Sequence, residues 1–437
     1  MRRSLALAAT AAATAAAAAA APAAPAAPSY AAVTSVLLDD AASVALGARC
    51  LDGSPQRVWL SQPPAGSANA SKLSVHYMGG GWCTSLPDCA ARAYSSECIR
   101  GSSNESCYAW NNNPGNEQLN ATYQSPWDLY AMPVALGARW AGALLNSDAA
   151  ANPTTHDWTR LWVQYCDGMS WTGNNDTVTW VAVNGTQRPL YFRGYRNVLA
   201  TIRRLVADFG GAGLTHVVIS GDSAGGLASY LHVDTWASEL PHAHVVAAPD
   251  SGYFFADAGY PAWPATLEWL VAQGNGTGAL NAACVAAAAA AGSPAWRCML
   301  PEQSAPHTAA PLFVVNSRFD PALDSISGGF DQRNASAVAR LGDALLASVT
   351  AAVLGAHPAS NGAFLTSCAQ HCGQWGQGQA GGDGVPADFN VTIDGATAAR
   401  AFDAWYGDVA AGRPPRRALW LQGAGFPCKA CCAGGQA

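Results

Sequence analysis

Residues 215–236 read THVVISGDSAGGLASYLHVDTW. An apolar run from His216 to Ser220 comes first, then Gly221, Asp222, Ser223, Ala224 and Gly225, then small and apolar residues in a helical pattern. The run is short and β-branched, so it reads as a buried strand, and the segment after the serine reads as a helix. Working outward, similar apolar runs occur at Leu73 to Met78, Leu161 to Tyr165, His244 to Ala248, Leu312 to Asn316 and Ala363 to Thr366. Val198, Leu199, Ile202, Leu205, Val206 and Phe209 recur at helical spacing between two of them, with Gly210 and Gly211 as a stop signal. Short apolar strands alternating with amphipathic helices predict an α/β fold, a mainly parallel sheet flanked by helices. No repeat, charge run or long Pro/Ser linker divides the chain after residue 40, so a single domain is expected. Glycine-rich or irregular stretches at Asn111 to Gly115 and Gly373 to Gly384 read as surface loops.

A strand, then G-x-S-x-G, then a helix is the context that gives this motif chemical meaning. The serine sits on a sharp turn that exposes its Oγ, and the flanking glycines are needed because a Cβ there would meet the adjacent strand or helix. With 44 glycines in 437 residues, the bare motif alone would carry little. A serine hydroxyl is a weak nucleophile near neutral pH and needs a histidine base and a carboxylate to orient that base. On α/β-hydrolase-like folds the chain order is Ser, then Asp or Glu, then His. His371, just beyond the run Ala363 to Thr366, suits the base; His357 precedes that run and reads as a loop histidine. PLFVVNSRFD ends on Asp320, the expected acid, with Asp324 its nearest rival and Asp250 and Asp257 one strand too early. For the oxyanion hole, Ala224 supplies the N–H after the nucleophile, and the run Gly79, Gly80, Gly81 after Met78 suits the second donor.

Composition excludes several classes. Half of the residues are hydrophobic and 12% charged, and 29 acidic against 23 basic side chains give a net charge of −6. This argues against disorder and against a nucleic-acid binder. Arg2 and Arg3 precede an alanine-rich apolar run ending near Pro22, Pro25 and Pro28. It reads as a secretory signal over residues 1–27, the mature domain being 28–437; a low-complexity alanine tail is the alternative. Thirteen cysteines and sequons at Asn69, Asn104, Asn120, Asn175, Asn184, Asn275, Asn334 and Asn390 agree with a disulfide-bonded, glycosylated, secreted protein. The tail cysteines Cys428, Cys431 and Cys432 read as disulfides, and a lone His242-x-His244 is no metal site, so no metal and no cofactor are expected. An odd cysteine count leaves at least one thiol free or paired elsewhere. No later stretch reaches the 18 or more apolar residues of a membrane span. A monomer is expected.

Six ordered stretches, SVHYMGGGWCTSLPDCAARA, WVQYCDGMSWTGN, YFRGYRNV, GDSAGGLASYLHVD, LFVVNSRFD and GAFLTSCAQHC, resemble the pectin acetylesterase family, which also contains the animal protein Notum. The resemblance runs from about Cys50 to His371. It implies an α/β-hydrolase-like fold and a secreted serine carboxylesterase with Ser223, Asp320 and His371 as triad, and Gly81 and Ala224 as oxyanion donors. Trp82 matches the tryptophan beside the pocket, and Gly80 is expected there too. The implied substrate is an O-acetyl group on pectin or a related wall polysaccharide. A Notum-like lipid-ester deacylase would use the same machinery; an inactive polysaccharide-binding module and a serine peptidase are alternatives of other kinds. Two departures stand out: Asp222 occupies a position often Cys or Thr in relatives, and Pro321 and Ala322 replace a Trp-Gln pair of plant members. Of the tryptophans, Trp82, Trp110, Trp127 and Trp171 suit a pocket. Arg193 and Arg196 read as helix-start ion pairs rather than polyanion ligands.

Overall fold

A computed structural model describes residues 34–63, 65–94, 143–208, 213–257, 262–323, 334–373, 375, 391–428 and 430–432. Single-turn helices aside, its elements in chain order are β1 (Thr34–Leu37), α1 (Ala41–Leu46), β2 (Arg57–Ser61), β3 (Lys72–Tyr77), α2 (Leu86–Tyr94), β4 (Thr159–Val163), β5 (Thr179–Val183), β6 (Thr186–Leu190), α3 (Gly194–Asp208) and β7 (His216–Asp222). Next come α4 (Ala224–Glu239), β8 (His244–Asp250), α5 (Ala262–Gly274), α6 (Ala282–Ala290), β9 (Phe313–Ser317), α7 (Ala335–Val349), β10 (Gly362–Thr366), α8 (Ala398–Val409) and β11 (Leu419–Leu421). Nine strands form one sheet in the order β1-β2-β4-β3-β7-β8-β9-β10-β11. The pairs β1–β2 and β2–β4 are antiparallel, and every pair from β4 to β11 is parallel. Without the separate β5–β6 hairpin this is the strand order of an α/β hydrolase.

Both faces of the sheet are covered, which is why its central strands are apolar at consecutive positions. Successive side chains point to opposite faces. Thus Val217 and Ile219 join one buried cluster with Leu227 and Leu231 of α4, while Val218 joins Phe313, Phe364, Phe402 and Trp405 on the other face. Each such side chain, fully withdrawn from water, contributes roughly 2–3 kcal/mol. α4 lies close on the sheet because it begins Ala-Gly-Gly; a Cβ on Gly226 would come 2.6 Å from the Asp250 carbonyl oxygen.

All six expected strands are present, offset by one or two residues at some ends, and the expected covering helix is α3. β1, β2, β5, β6 and β11 are additional. The β5–β6 hairpin turns at Asn184 (φ 49°) and Gly185 (φ 77°), the pair of positive φ values that an Asn-Gly hairpin turn takes. The expectation about apolar length needs amendment. Ala335–Leu354, α7 with its π-helical continuation, is long and apolar enough to cross a membrane by length and composition. Here Val338, Leu341, Leu345 and Val349 pack into the core, while Arg340 pairs with Asp257 and Asp343 with Arg318. The loop expected at Asn111 to Gly115, and most of that at Gly373 to Gly384, lie outside the described residues, as do Trp110 and Trp127.

Candidate active site

Ser223, Asp250, Asp320, His371 and the run Gly79–Gly81 all lie at or just past the C-terminal ends of parallel strands, the edge where open α/β sheets carry their ligands. Ser223 holds φ 55° and ψ −121°, a conformation costing about 1–3 kcal/mol that persists only when its surroundings impose it. They do so on three sides. Its N–H donates to the Asp250 carbonyl at 3.0 Å. A Cβ on Gly221 would lie 2.3 Å from the Gly225 oxygen, and one on Gly225 would lie 2.0 Å from the Tyr77 oxygen. The two motif glycines therefore let α4 start directly against the end of β3, as expected from the sequence.

Asp320 follows β9 and receives His371, which follows β10: Nδ1 stands 2.8 and 2.9 Å from the two carboxylate oxygens. Nδ1–H therefore faces the acid, and Nε2 is the nitrogen directed away from it. The two loops are joined by Ser317, whose hydroxyl donates to the Cys368 carbonyl and accepts the Phe319 N–H at 2.9 Å. Beyond His371, the Cys372 N–H donates to Ser251 Oγ at 2.8 Å, and Ser251 donates to Asp250 Oδ1 at 2.9 Å. Burial pulls the His371 imidazole down, but the charge and hydrogen bond of Asp320, with the charges of Asp250 and Asp222, outweigh it and hold the ring above its ordinary value.

The oxyanion-loop candidate is fixed by its carbonyls. Arg92 of α2 donates from Nη1 to Gly80 O at 2.8 Å and from Nη2 to Trp82 O at 2.9 Å. The Tyr165 hydroxyl donates to Gly81 O at 2.7 Å and accepts the Ser170 N–H at 3.1 Å. Ser170 Oγ accepts from Trp82 Nε1 at 2.8 Å and donates to Ala224 O at 2.7 Å, so one hydroxyl joins the two expected donor segments. Gly81 takes φ 66°, open to glycine without strain. Ala224 opens α4, where first-turn N–H groups lack intrahelical partners.

Trp82 is buried and meets Phe254 edge-on, with ring centroids 4.9 Å apart, and Trp263 at 4.8 Å; Phe254 lies 6.3 Å from the His371 ring. An aromatic wall therefore leads from the segment after the glycine run to the histidine. Trp171, expected near a pocket, instead packs fully buried between Tyr77 and Tyr165 at 4.8 and 4.7 Å, because φ 57° turns it into the core. Asp257 is engaged by Arg340, His357 Nε2 faces the Pro306 carbonyl, and Asp324 lies outside the described residues. His232 is buried against the Ser170 carbonyl and pushed down to about 4 by that burial. Arg196 pairs with Asp176 at 2.8 Å, whereas Arg193 spends its guanidinium on backbone carbonyls. Among the described residues no cluster could hold a metal.

Disulfides join Cys50–Cys166, Cys83–Cys89, Cys284–Cys298, Cys368–Cys432 and Cys428–Cys431. Cys83–Cys89 braces the segment after the glycine run and Cys368–Cys432 the approach to His371, while Cys372 is a buried free thiol. Asp250, Ser251, Phe254, Trp263, Tyr165, Ser170, His76 and Arg92 also shape the site; His76, Arg92, Tyr165 and Ser170 fall inside the stretches that carry the family resemblance, but the sequence attaches no role to them there. Their positions, near the ends of β3, β4 and β8, on the helix after the glycine run or, for Trp263, at the start of α5, are the signal that could have found them.

The strand order, with a serine on the turn after β7 and a His–Asp couple on the loops after β9 and β10, defines an α/β hydrolase. The chain belongs to the pectinacetylesterase family, whose sequence profile matches residues 26–118 and 137–433, and so to the carboxylic ester hydrolases. It is 28% identical over 385 residues to pectin acetylesterase 7 of Arabidopsis thaliana, covering 84% of this chain and 85% of that one. It is 31% identical over 278 residues to pectin acetylesterase 5 of the same plant, covering 63% of this chain and 55% of the relative. A palmitoleoyl-protein carboxylesterase NOTUM of Schmidtea mediterranea is 25% identical over 186 residues, 43% of this chain and 28% of that protein.

Proposed function

We propose that the protein removes O-acetyl groups from pectin or a related wall polysaccharide through a Ser223–His371–Asp320 mechanism. His371 Nε2 takes the Ser223 proton as Oγ attacks the acetyl carbonyl, and the resulting oxyanion is held by the Gly81 and Ala224 N–H groups. Imidazolium then protonates the sugar oxygen, the C–O bond breaks, and water attacks the acyl-enzyme with His371 again as base. What supports this reading is the two-oxygen contact of Asp320 with His371 Nδ1, which turns Nε2 away from the acid. Residues 1–27 are proposed as a cleaved leader and 28–437 as a secreted, monomeric mature chain. The disulfides support this, as do exposed sequons at Asn184, Asn275 and Asn334.

The test is acetate release from acetylated pectin by wild type, Ser223→Ala and His371→Ala. Loss in both variants supports the reading; release by wild type that survives Ser223→Ala refutes the triad. The aromatic wall of Trp82, Phe254 and Trp263 favours a second reading, a lipid-ester deacylase like the Notum relative. A rise in kcat/KM from acetyl to long-chain p-nitrophenyl esters would select that reading over acetyl removal.

A further inference from the structure

Beneath Ser223 lies a histidine–aspartate contact that the triad mechanism does not use. His76, on β3, stands opposite Ser220 of β7 in the parallel register, which sets its ring beside the side chains of Ser220 and Asp222 on one face of the sheet. Its Nε2 is 2.9 Å from Asp222 Oδ1 and its Nδ1 is 3.0 Å from Ser220 Oγ. Ser220 Oγ donates its one proton to the Val75 carbonyl at 2.9 Å, so toward His76 it can only accept, and Nδ1 must carry a proton. Asp222 Oδ1 also accepts the Gly79 N–H at 3.2 Å, which is the behaviour of a carboxylate. With Nδ1 protonated and Nε2 directed at that carboxylate, the network assigns an imidazolium–carboxylate pair. Its ring lies 4.7 Å from that of Trp162, and both partners are buried.

Asp222 sits where three parts of the site converge. It directly precedes Ser223, and it binds the first glycine of the oxyanion run. A Cβ on Gly79 would lie 2.6 Å from Asp222 Oδ2 and 3.1 Å from the Ser223 Cβ. Its charge also reaches His371 together with those of Asp250 and Asp320. Three carboxylates thus surround a site where a further negative charge must develop, and Asp222 Oδ2 has no hydrogen-bond partner among the described residues. Such an arrangement is costly unless a nearby cation balances it.

We propose that His76 and Asp222 are a positioning pair for the esterase reaction: Asp222 ties Gly79 to the turn carrying Ser223, and protonated His76 balances the Asp222 charge where the oxyanion forms. The proposal rests on the reading of Ser223 as nucleophile. The groups around His371 are Asp222 at the end of β7, Asp250 at the end of β8, Asp320 after β9 and the neighbouring Cys372 thiol. Asp222 is the one of the three carboxylates whose balance comes from His76.

The test is the pH profile of kcat/KM on p-nitrophenyl acetate for wild type, His76→Gln, Asp222→Asn, the double variant and Ser223→Ala. The glutamine amide still donates to Asp222 but carries no charge, and the asparagine oxygen still accepts from Gly79. His76→Gln leaves a carboxylate unbalanced: the acidic limb moves to higher pH by on the order of half a pH unit. Its plateau kcat falls about 10-fold with KM little changed. Asp222→Asn moves the limb the other way, and the double variant loses less than the product of the single losses. Wild-type limb positions in both single variants, shifts of the same sign, or multiplicative losses would overturn the pairing. Asp222→Thr and His76→Asn replace either variant that fails to show a cooperative thermal transition. Activity surviving in Ser223→Ala would remove the triad reading and this role with it; a dead Ser223→Ala with immobile limbs removes this role alone.

Discussion

Removing one oxygen atom, Tyr165→Phe, asks whether the oxyanion loop is held by its carbonyls. The hydroxyl bridges Gly81 O at 2.7 Å and the Ser170 N–H at 3.1 Å, and the ring rests on Trp171 at 4.7 Å, a contact phenylalanine keeps. A neutral hydrogen bond is worth about 1 kcal/mol net, and a buried group left without a partner costs about 1–3 kcal/mol. Ser170 is buried but Gly81 is half-exposed and can take water, so the loss of stability should be about 2 kcal/mol. Catalysis should suffer separately. Deleting an oxyanion donor outright costs roughly 100- to 1,000-fold in kcat, and Gly81 would keep its N–H while losing the tie that aims it, so about 10-fold is expected. Urea unfolding gives the first quantity and steady-state hydrolysis of p-nitrophenyl acetate on its pH plateau gives the second. A kcat within about two-fold of wild type alongside the full stability loss would show that the tie serves the fold and not the oxyanion.

In the proposed mechanism the neutral imidazole is the base, and His371 is held above its ordinary value, so kcat/KM should fall as pH drops through a value above 6.5; Asp320→Asn should shift that limb downward while removing most of kcat. The same raised value makes protonated His371 stabilising: relative to His371→Gln, the wild-type advantage in urea should be complete below about pH 6.5 and lost as pH rises through the folded-state value, and an advantage growing with pH would contradict this. Cys368→Ser with Cys432→Ser opens a crosslink with a separation of 64 residues, worth about 4 kcal/mol by the chain-entropy relation. A loss under about 1 kcal/mol in non-reducing urea unfolding would show that the loop is held by its other bonds, such as those of Ser367 to Gln422 and Ala424.

The features legible in the sequence share one property: they are local. The strand before Ser223, the glycines around it and the helix after it are stretches whose own pattern demands their conformation, and the chain order of Ser223, Asp320 and His371 builds on that. The β5–β6 hairpin carries a local signal too, Asn184 and Gly185 between two alternating runs. β1, β2 and β11 carry none: β1 and β11 are short edge strands and β2 lies directly inside β1, and such short strands acquire their state from the neighbours they pair with. The burial of Trp171 is hidden from the sequence for a related reason: a tryptophan among glycines and polar residues looks exposed, whereas the folded chain, with a positive φ at that residue, packs it between Tyr77 and Tyr165.

The amino-acid sequence by itself determined the sheet class, the expected nucleophile, acid and base, and the disulfide-bonded character of the chain, since periodicity, turn chemistry and cysteine count act over short distances. Only the tertiary structure decided that Tyr165, Ser170 and Arg92 hold the Gly80–Trp82 segment, that Asp250 and Ser251 hold the Cys372 N–H beside His371, and that His76 meets Asp222. Those partners lie up to 146 residues apart in the chain, and hydrogen bonds between such positions depend on strand register, which exists only once the sheet has formed.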